Sequence, residues 1–169
     1  MASEPRWMAK ARASIGVREV PGTGNSATIM GWARKLGSRV LGMAYNADSV
    51  PWCGLFVAYV LGECLIAAPP IAVRASAWGK WGRELLGPRP GCILVFVRKG
   101  GGHVGFYVGE DATHYHVLGG NQSDAVNVMR LEKRRLAPGG MRWPHGEPLP
   151  PQRRVMLTPN GAPASDNEA

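Results

Sequence analysis

The chain has 169 residues, 45% of them hydrophobic and 19% charged, with a formal net charge of +8 and a pI near 9.9. These proportions fit one folded domain with a usable core rather than a disordered chain. The basic balance favours a polyanionic partner, with nucleic acid, acidic phospholipid and the bacterial cell wall as the classes to separate. Ser3 is predicted to cap a first helix through about Ile15, with Pro5 in its first turn and Trp7, Met8, Ala11 and Ile15 on one stripe. Val20-Pro21-Gly22-Thr23-Gly24 carries turn chemistry, after which Asn25 or Ser26 caps a second helix. Ile29, Met30, Ala33 and Leu36 recur on one face of that helix.

A loop from Gly37 to Val50 leads to a third helix beginning near Cys53, apolar almost all round and therefore predicted to be buried. Its apolar run, Leu55 to Ala68, is broken by Gly62 and Glu63 and falls short of a membrane span. Pro69-Pro70 ends it, and Ser76 to Gly82 is a short helix or an irregular loop. After Gly87-Pro88-Arg89-Pro90-Gly91 the period changes to strands at Cys92–Val97, His103–Gly109, Thr113–Leu118 and Ala125–Arg130, with a further one around Met141 to Pro144. Helices first and an antiparallel meander after give an α+β fold. The folded domain is assigned to residues 1–145. The Pro-rich stretch 146–169 is predicted to be a flexible tail that adds little to the core.

Three cysteines do not make a disulfide framework. Cys53 and Cys64 fall on one predicted helix, roughly 16 Å apart by helical rise, beyond the reach of a bridge. Cys92 opens an apolar strand and reads as a small buried hydrophobe. No metal-ligand spacing appears. Cys53 remains as the reactive candidate. It follows Pro51-Trp52 at a predicted helix N-terminus, where negative charge is favoured, and Asp48 or Ser49 is placed to cap that helix.

His103 follows Gly100-Gly101-Gly102 and opens a strand in which His103, Gly105 and Tyr107 share one face, while Val104, Phe106 and Val108 share the core face. A histidine beside a glycine at a cleft suits a general base. Asn121, after Gly119-Gly120, is the candidate to hold the imidazole tautomer through Nδ1–H, and His116 on a neighbouring strand competes for that role. His114 reads as a bystander. Cysteine, histidine and asparagine in this order supply nucleophile, base and orienting group. Trp52 and Asp48 flank the cysteine and are assigned to substrate contact, with Trp78 and Trp81 as further aromatic lining; Tyr45 or Asn46 is a candidate oxyanion donor.

Three blocks taken together resemble a known group: Pro51-Trp52-Cys53, Gly102-His103-Val104-Gly105, and Val117 to Ser123. They are similar to the CHAP and NlpC-type families, papain-like cysteine hydrolases of bacterial peptidoglycan. The closest likeness is to small phage and bacterial members. The resemblance spans roughly Trp7 to Pro144 and includes the Pro-Gly before the first strand. Cys92 departs from the pattern, since relatives often carry an acidic residue there. The resemblance implies a papain-like fold with Cys53 as nucleophile, His103 as base and Asn121 as third member.

It also implies an amidase or endopeptidase acting on peptidoglycan, needing neither metal nor organic cofactor. The partner expected is the anionic wall rather than nucleic acid, because the one compact basic run, Lys133-Arg134-Arg135, reads as a solvated turn. A monomer is expected, with no transmembrane segment. No secretory signal is visible at the N-terminus, so the protein is expected to be made in the cytoplasm and to reach the wall by release or delivery. Two competing readings stand beside this one. The first is a catalytically idle wall-binding or phage structural module, and the second a cysteine hydrolase of a different amide.

Overall fold

A six-stranded antiparallel sheet, packed on helices that precede it in the chain, makes up the α+β architecture of the computed structural model, which describes residues 4–164. The predicted Ser3 cap lies outside the described residues. Helix α1 spans Trp7–Ala13 and buries Trp7, Met8 and Ala11. Ile15 falls beyond its end and is 47% exposed, so the predicted stripe stops a turn early. Helix α2 spans Ala27–Leu41; Ser26 Oγ accepts a hydrogen bond from the Ile29 N–H at 3.3 Å, the cap expected from its position. This helix runs past the predicted loop start. Gly37 kinks it at φ 82°, and the helical path resumes through buried Leu41 until Gly42 closes it in the left-handed region.

Helix α3, Cys53–Gly62, is the central element, with Leu55, Phe56, Val57, Ala58, Val60 and Leu61 all buried. Phe56 meets Phe106 of the sheet edge-on at 6.2 Å, and Trp32 of α2 stacks on Tyr59 at 4.7 Å. Each such fully buried side chain contributes about 1.5–3 kcal/mol of transfer free energy. Cys64 lies just beyond the helix end and is half-buried rather than in the apolar run. Gly54 is obligatory. A Cβ there would collide with the carbonyl oxygens of Ala72 and Val73, which cross the start of the helix.

The strands are β1 (Arg83–Glu84), β2 (Ile93–Arg98), β3 (Gly101–Glu110), β4 (His114–Gly119), β5 (Asn127–Glu132) and β6 (Leu136–Trp143), in spatial order β1-β6-β2-β3-β4-β5. The predicted meander is β2 to β5. Strand β6 returns to the other side of β2 and begins earlier than the sequence suggests. Pro138-Gly139-Gly140 reads as a break, yet the strand absorbs it as an irregularity between the Phe96–Leu136 and Leu94–Met141 pairs. Both faces of β3 are buried: Tyr107 is as inaccessible as Val104 and Phe106.

The described part of the C-terminal extension is a strap rather than a loose tail. The Glu110 N–H donates to Val155 O and the Leu157 N–H to Glu110 O, each at 2.8 Å. Arg154 pairs with Glu110 at 2.9 Å, and the Val155 N–H donates to the Tyr107 hydroxyl. Only Val155 of this segment packs against the core, as expected for its composition, but backbone pairing holds it to the end of β3. No helix among the described residues is long and apolar enough to cross a membrane.

Candidate active site

Cys53 opens α3 at the residue after Trp52, which occupies the cap position and makes no side-chain capping hydrogen bond. The carboxylate of Asp48, expected to cap this helix or contact substrate, does neither. It is buried and accepts hydrogen bonds from Val20 N at 2.9 Å and Ser26 N at 2.7 Å, fastening the preceding loop to the start of α2. The uncapped first turn has a consequence, because its N–H groups need partners. Those of Cys53 and Gly54 act to lower the pKa of the Cys53 thiol. The sheet contributes as well: β3 pairs with β2 from Gly101 to Phe106 and with β4 only from Phe106 onward, and the Val104 backbone acts to lower the pKa of the thiol.

The thiol is nevertheless held in its protonated form. Cys53 is 3% exposed, and burial pushes its pKa up against the pull of these N–H groups and of Arg98. The favourable helix N-terminus therefore does not outweigh the burial of this thiol. Cys92 behaves as predicted for an inert thiol, fully buried and pushed up to about 12.

His103 sits next to Val104 on β3 and is itself buried. Its Nε2 lies 2.9 Å from Gln122 Oε1. This corrects the assignment of Asn121. The amide of Gln122 can point only one way, because its Nε2 donates to Val117 O at 3.1 Å, to Asn127 O at 2.8 Å and to Asn127 Oδ1 at 2.9 Å. Asn127 Nδ2 returns a bond to Gln122 O at 2.8 Å. With acceptors around Nε2, the glutamine presents oxygen to the imidazole, so His103 Nε2 carries the proton and Nδ1 is the basic nitrogen. The predicted tautomer is thus reversed. Burial lowers the pKa of His103, Gln122 raises it, and the charges of Arg98 and Arg135 lower it further.

Asn121 has the left-handed φ of 57° and makes the turn that delivers Gln122; it lines the adjoining pocket but makes no side-chain hydrogen bond among the described residues. Gly119 leaves the room this pairing requires, since a Cβ there would stand 2.6 Å from Gln122 Oε1 and 3.4 Å from His103 Nε2. His116 is not part of the site. Its Nε2 is bound to Asp111 Oδ2 at 2.9 Å, a carboxylate that also pairs with the exposed Arg130, and His114 borders the same cluster.

Trp52 is wholly buried, its Nε1 donating to Glu19 at 2.8 Å, and lines neither pocket of the site. Trp78 is buried with its Nε1 on Ala72 O, and Trp81 is turned to Ala67 O; neither borders Cys53. Tyr45 spends its hydroxyl on Val50 O at 2.7 Å, and Asn46 is exposed away from the sulfur's pocket. The surface over Cys53 is instead a pocket of about 380 Å³ walled by Val50, Pro51, Arg74, Ser76 and the Gly100–Gly102 backbone. A second pocket of about 240 Å³ holds His103, Asn121, Gln122, Ser123 and Arg135. Arg98 borders both.

The structure thus pairs His103 of β3 with Gln122, and sets Cys53 in a neighbouring pocket with Gly101 and Gly102 of the same strand. Among the described residues no hydrogen bond joins the sulfur to His103, and the imidazole Nδ1 has no partner, an arrangement common in ligand-free sites. The chain matches no protein-family model and no curated protein.

Proposed function

We propose that the protein is a cysteine hydrolase that cleaves an amide of bacterial peptidoglycan, as an endopeptidase or an N-acetylmuramoyl-L-alanine amidase of papain-like, CHAP- or NlpC-type kinship. The observation that carries this reading is the paired preparation of the two groups. Cys53 stands at an uncapped helix start among backbone donors, while Gln122 fixes the tautomer of His103. In the first step His103 Nδ1 takes the thiol proton as Cys53 Sγ attacks the amide carbonyl. The first-turn N–H groups of α3 receive the developing oxyanion. His103 then gives its proton to the leaving amine, and a water deprotonated by the same nitrogen hydrolyses the thioester.

The net charge of +8 supports attraction to the anionic wall outside the cytoplasm. Cys53→Ser should abolish release of fragments from purified sacculi with little change in melting temperature. Mass analysis of the wild-type products identifies the bond cut. Retained hydrolysis in the serine variant would refute the cysteine mechanism. Burial of Cys53, with no hydrogen bond to His103, favours one second reading, an idle wall-binding module of the same fold. That reading requires sacculus binding with no fragment released and no selective alkylation of Cys53.

A further inference from the structure

A second group of titratable side chains is gathered on β4 and β5, away from Cys53. His116 and Arg130 are partners across the two strands and so share one face of the sheet. Both reach Asp111, the residue after β3. Asp111 Oδ2 accepts from His116 Nε2 at 2.9 Å and from Arg130 Nε at 2.8 Å, and Oδ1 accepts from the N–H groups of Thr113 and His114 at 3.0 and 3.1 Å. Arg130 leads in holding this carboxyl well below the usual carboxylate range. An ionised Asp111 can only accept, so His116 Nε2 carries a proton and Nδ1 is the bare nitrogen of the neutral ring.

That nitrogen is open. His116 is 2% exposed and its Nδ1 has no hydrogen-bond partner among the described residues, yet the only enclosed side-chain polar atom left without one there is Trp143 Nε1. The small accessible part of His116 therefore includes Nδ1. His116 and Arg130 border a pocket of about 430 Å³. Val108 and Val128 line it from the sheet, Arg12 from α1, and Leu157, Pro159 and Asn160 from the C-terminal strap. That last wall is an ordered turn, in which the Thr158 N–H donates to Ala162 O and the Gly161 N–H to Thr158 O, each at 2.8 Å. The pocket shares no residue with the one over Cys53 and only Met129 with that of His103.

An imidazole acceptor beside two guanidinium groups fits a ligand that is anionic and can also share a proton. No aspartate or glutamate borders the pocket. Arg12 engages Glu4 through Nε and Nη2, and Arg130 engages Asp111 through Nε and His114 through Nη2, so each keeps Nη1 for a ligand. A carboxylate or a sulfonate satisfies the guanidinium groups alone. A phosphate monoester also exchanges its second proton near neutral pH, so its contact with Nδ1 forms either as P–O–H···N or as P–O⁻···H–N⁺. We propose that this pocket binds a phosphate monoester, with the phosphoryl group on His116 Nδ1 and the outer nitrogens of Arg12 and Arg130, and the organic part against Val128 and Leu157. The site is independent of Cys53 and His103, and it gives the strap a role beyond pairing with β3.

Calorimetry on the intact protein at neutral pH compares phenyl phosphate with two controls. Benzenesulfonate is an oxyanion of similar shape that holds no proton, and inorganic phosphate lacks the organic part. Phenyl phosphate should bind about tenfold or more tighter than either. His116→Gln is the informative variant, because the glutamine amide can keep the bond to Asp111 while nothing replaces Nδ1. It should weaken phenyl phosphate about tenfold or more, to the level of benzenesulfonate, and Arg12→Gln should weaken both aromatic anions. Absence of saturable phenyl phosphate binding, equal binding of either control, or an affinity unchanged in His116→Gln would overturn the proposal.

If the glutamine variant fails to fold, the wild type decides. In ¹⁵N-labelled protein the ring-nitrogen resonances of His116 report the contact directly. Saturating phenyl phosphate should move Nδ1 upfield while Nε2, still on Asp111, moves little and both nitrogens of His103 stay in place. An unmoved His116 Nδ1 overturns the proposal. So does movement of His103 in place of His116, which would put the anion in the other pocket.

Discussion

Replacing Gln122 by alanine should damage both turnover and stability, and the two losses can be separated. The side chain is 2% exposed and holds four hydrogen-bond partners. Its removal leaves Val117 O and Asn127 O without their side-chain donor. At about 1 kcal/mol net for each neutral bond, and somewhat more for a buried carbonyl left unpaired, the cost is about 2–4 kcal/mol. For a chain of this size that is a fall of roughly 5–15 °C in melting temperature. Loss of the tautomer lock alone costs only a few-fold in rate, because the productive tautomer remains populated. Misorientation of the ring adds to it, within the ~10²–10⁴ that a positioned base contributes, so kcat should drop about 10–100-fold with KM little changed. Sacculus fragment release, assayed well below the melting transition, measures this, and ¹⁵N chemical shifts of His103 should lose the Nε2–H pattern. Asn121→Ala should change kcat less than about threefold, since Asn121 supplies turn geometry alone. Full activity in Gln122→Ala with severe loss in Asn121→Ala would refute the assignment of the orienting group.

Gly54→Ala should fold poorly or not at all, since the new methyl meets the Ala72 and Val73 carbonyls, and soluble yield with circular dichroism checks this. Glu110 and Asp111 have folded pKa values below the ordinary carboxylate range: Arg154, Lys133 and Tyr107 outweigh burial at Glu110, and Arg130 leads at Asp111. Their stabilisation is therefore complete above about pH 4–4.5 and is lost as pH falls further; Asp111→Asn should lower the melting temperature at neutral pH and flatten its decline in acid. With the His103 pKa lowered by burial, Arg98 and Arg135, the acid limb of kcat/KM should lie below about 6.5, and Arg135→Gln should move it upward. A limb unmoved by that change would show that another group controls it.

The element order and the sheet meander were legible because local periodicity carries them. Ile29 and Ala33 of α2, the unbroken apolar run of α3, and alternating strands between glycine turns all write their structure into short windows. Strand β6 was shortened in that reading because Pro138-Gly139-Gly140 is turn chemistry locally, and only pairing with β2 makes it a strand. The site was half legible. Cys53 and His103 are marked by their neighbours, but Asn121 and Gln122 differ by one position on a turn, and local residue type favours the asparagine. The deciding fact is long-range: three acceptors from Val117 and Asn127 gather at Gln122 once β4 and β5 pair. Asn127 alone in the next strand hinted at a polar partner. Asp48 and Trp52 stand beside Cys53 in sequence, yet each is consumed by contacts on the far side of the helix start, which sequence proximity cannot reveal.

The resting site is a neutral thiol beside a neutral imidazole, so attack requires a proton to pass between them. Burial opposes both ions that would result. Arg98 does not settle the balance, because its charge favours the thiolate of Cys53 and disfavours the imidazolium of His103. Over the transfer as a whole these two effects oppose each other. What favours transfer is the set of fixed dipoles: the backbone N–H groups of Cys53, Gly54 and Val104, which pull the thiol pKa down, and Gln122 Oε1 on the imidazole. These groups are tied into α3, β3 and the β4–β5 turn, and need no rearrangement as charge develops.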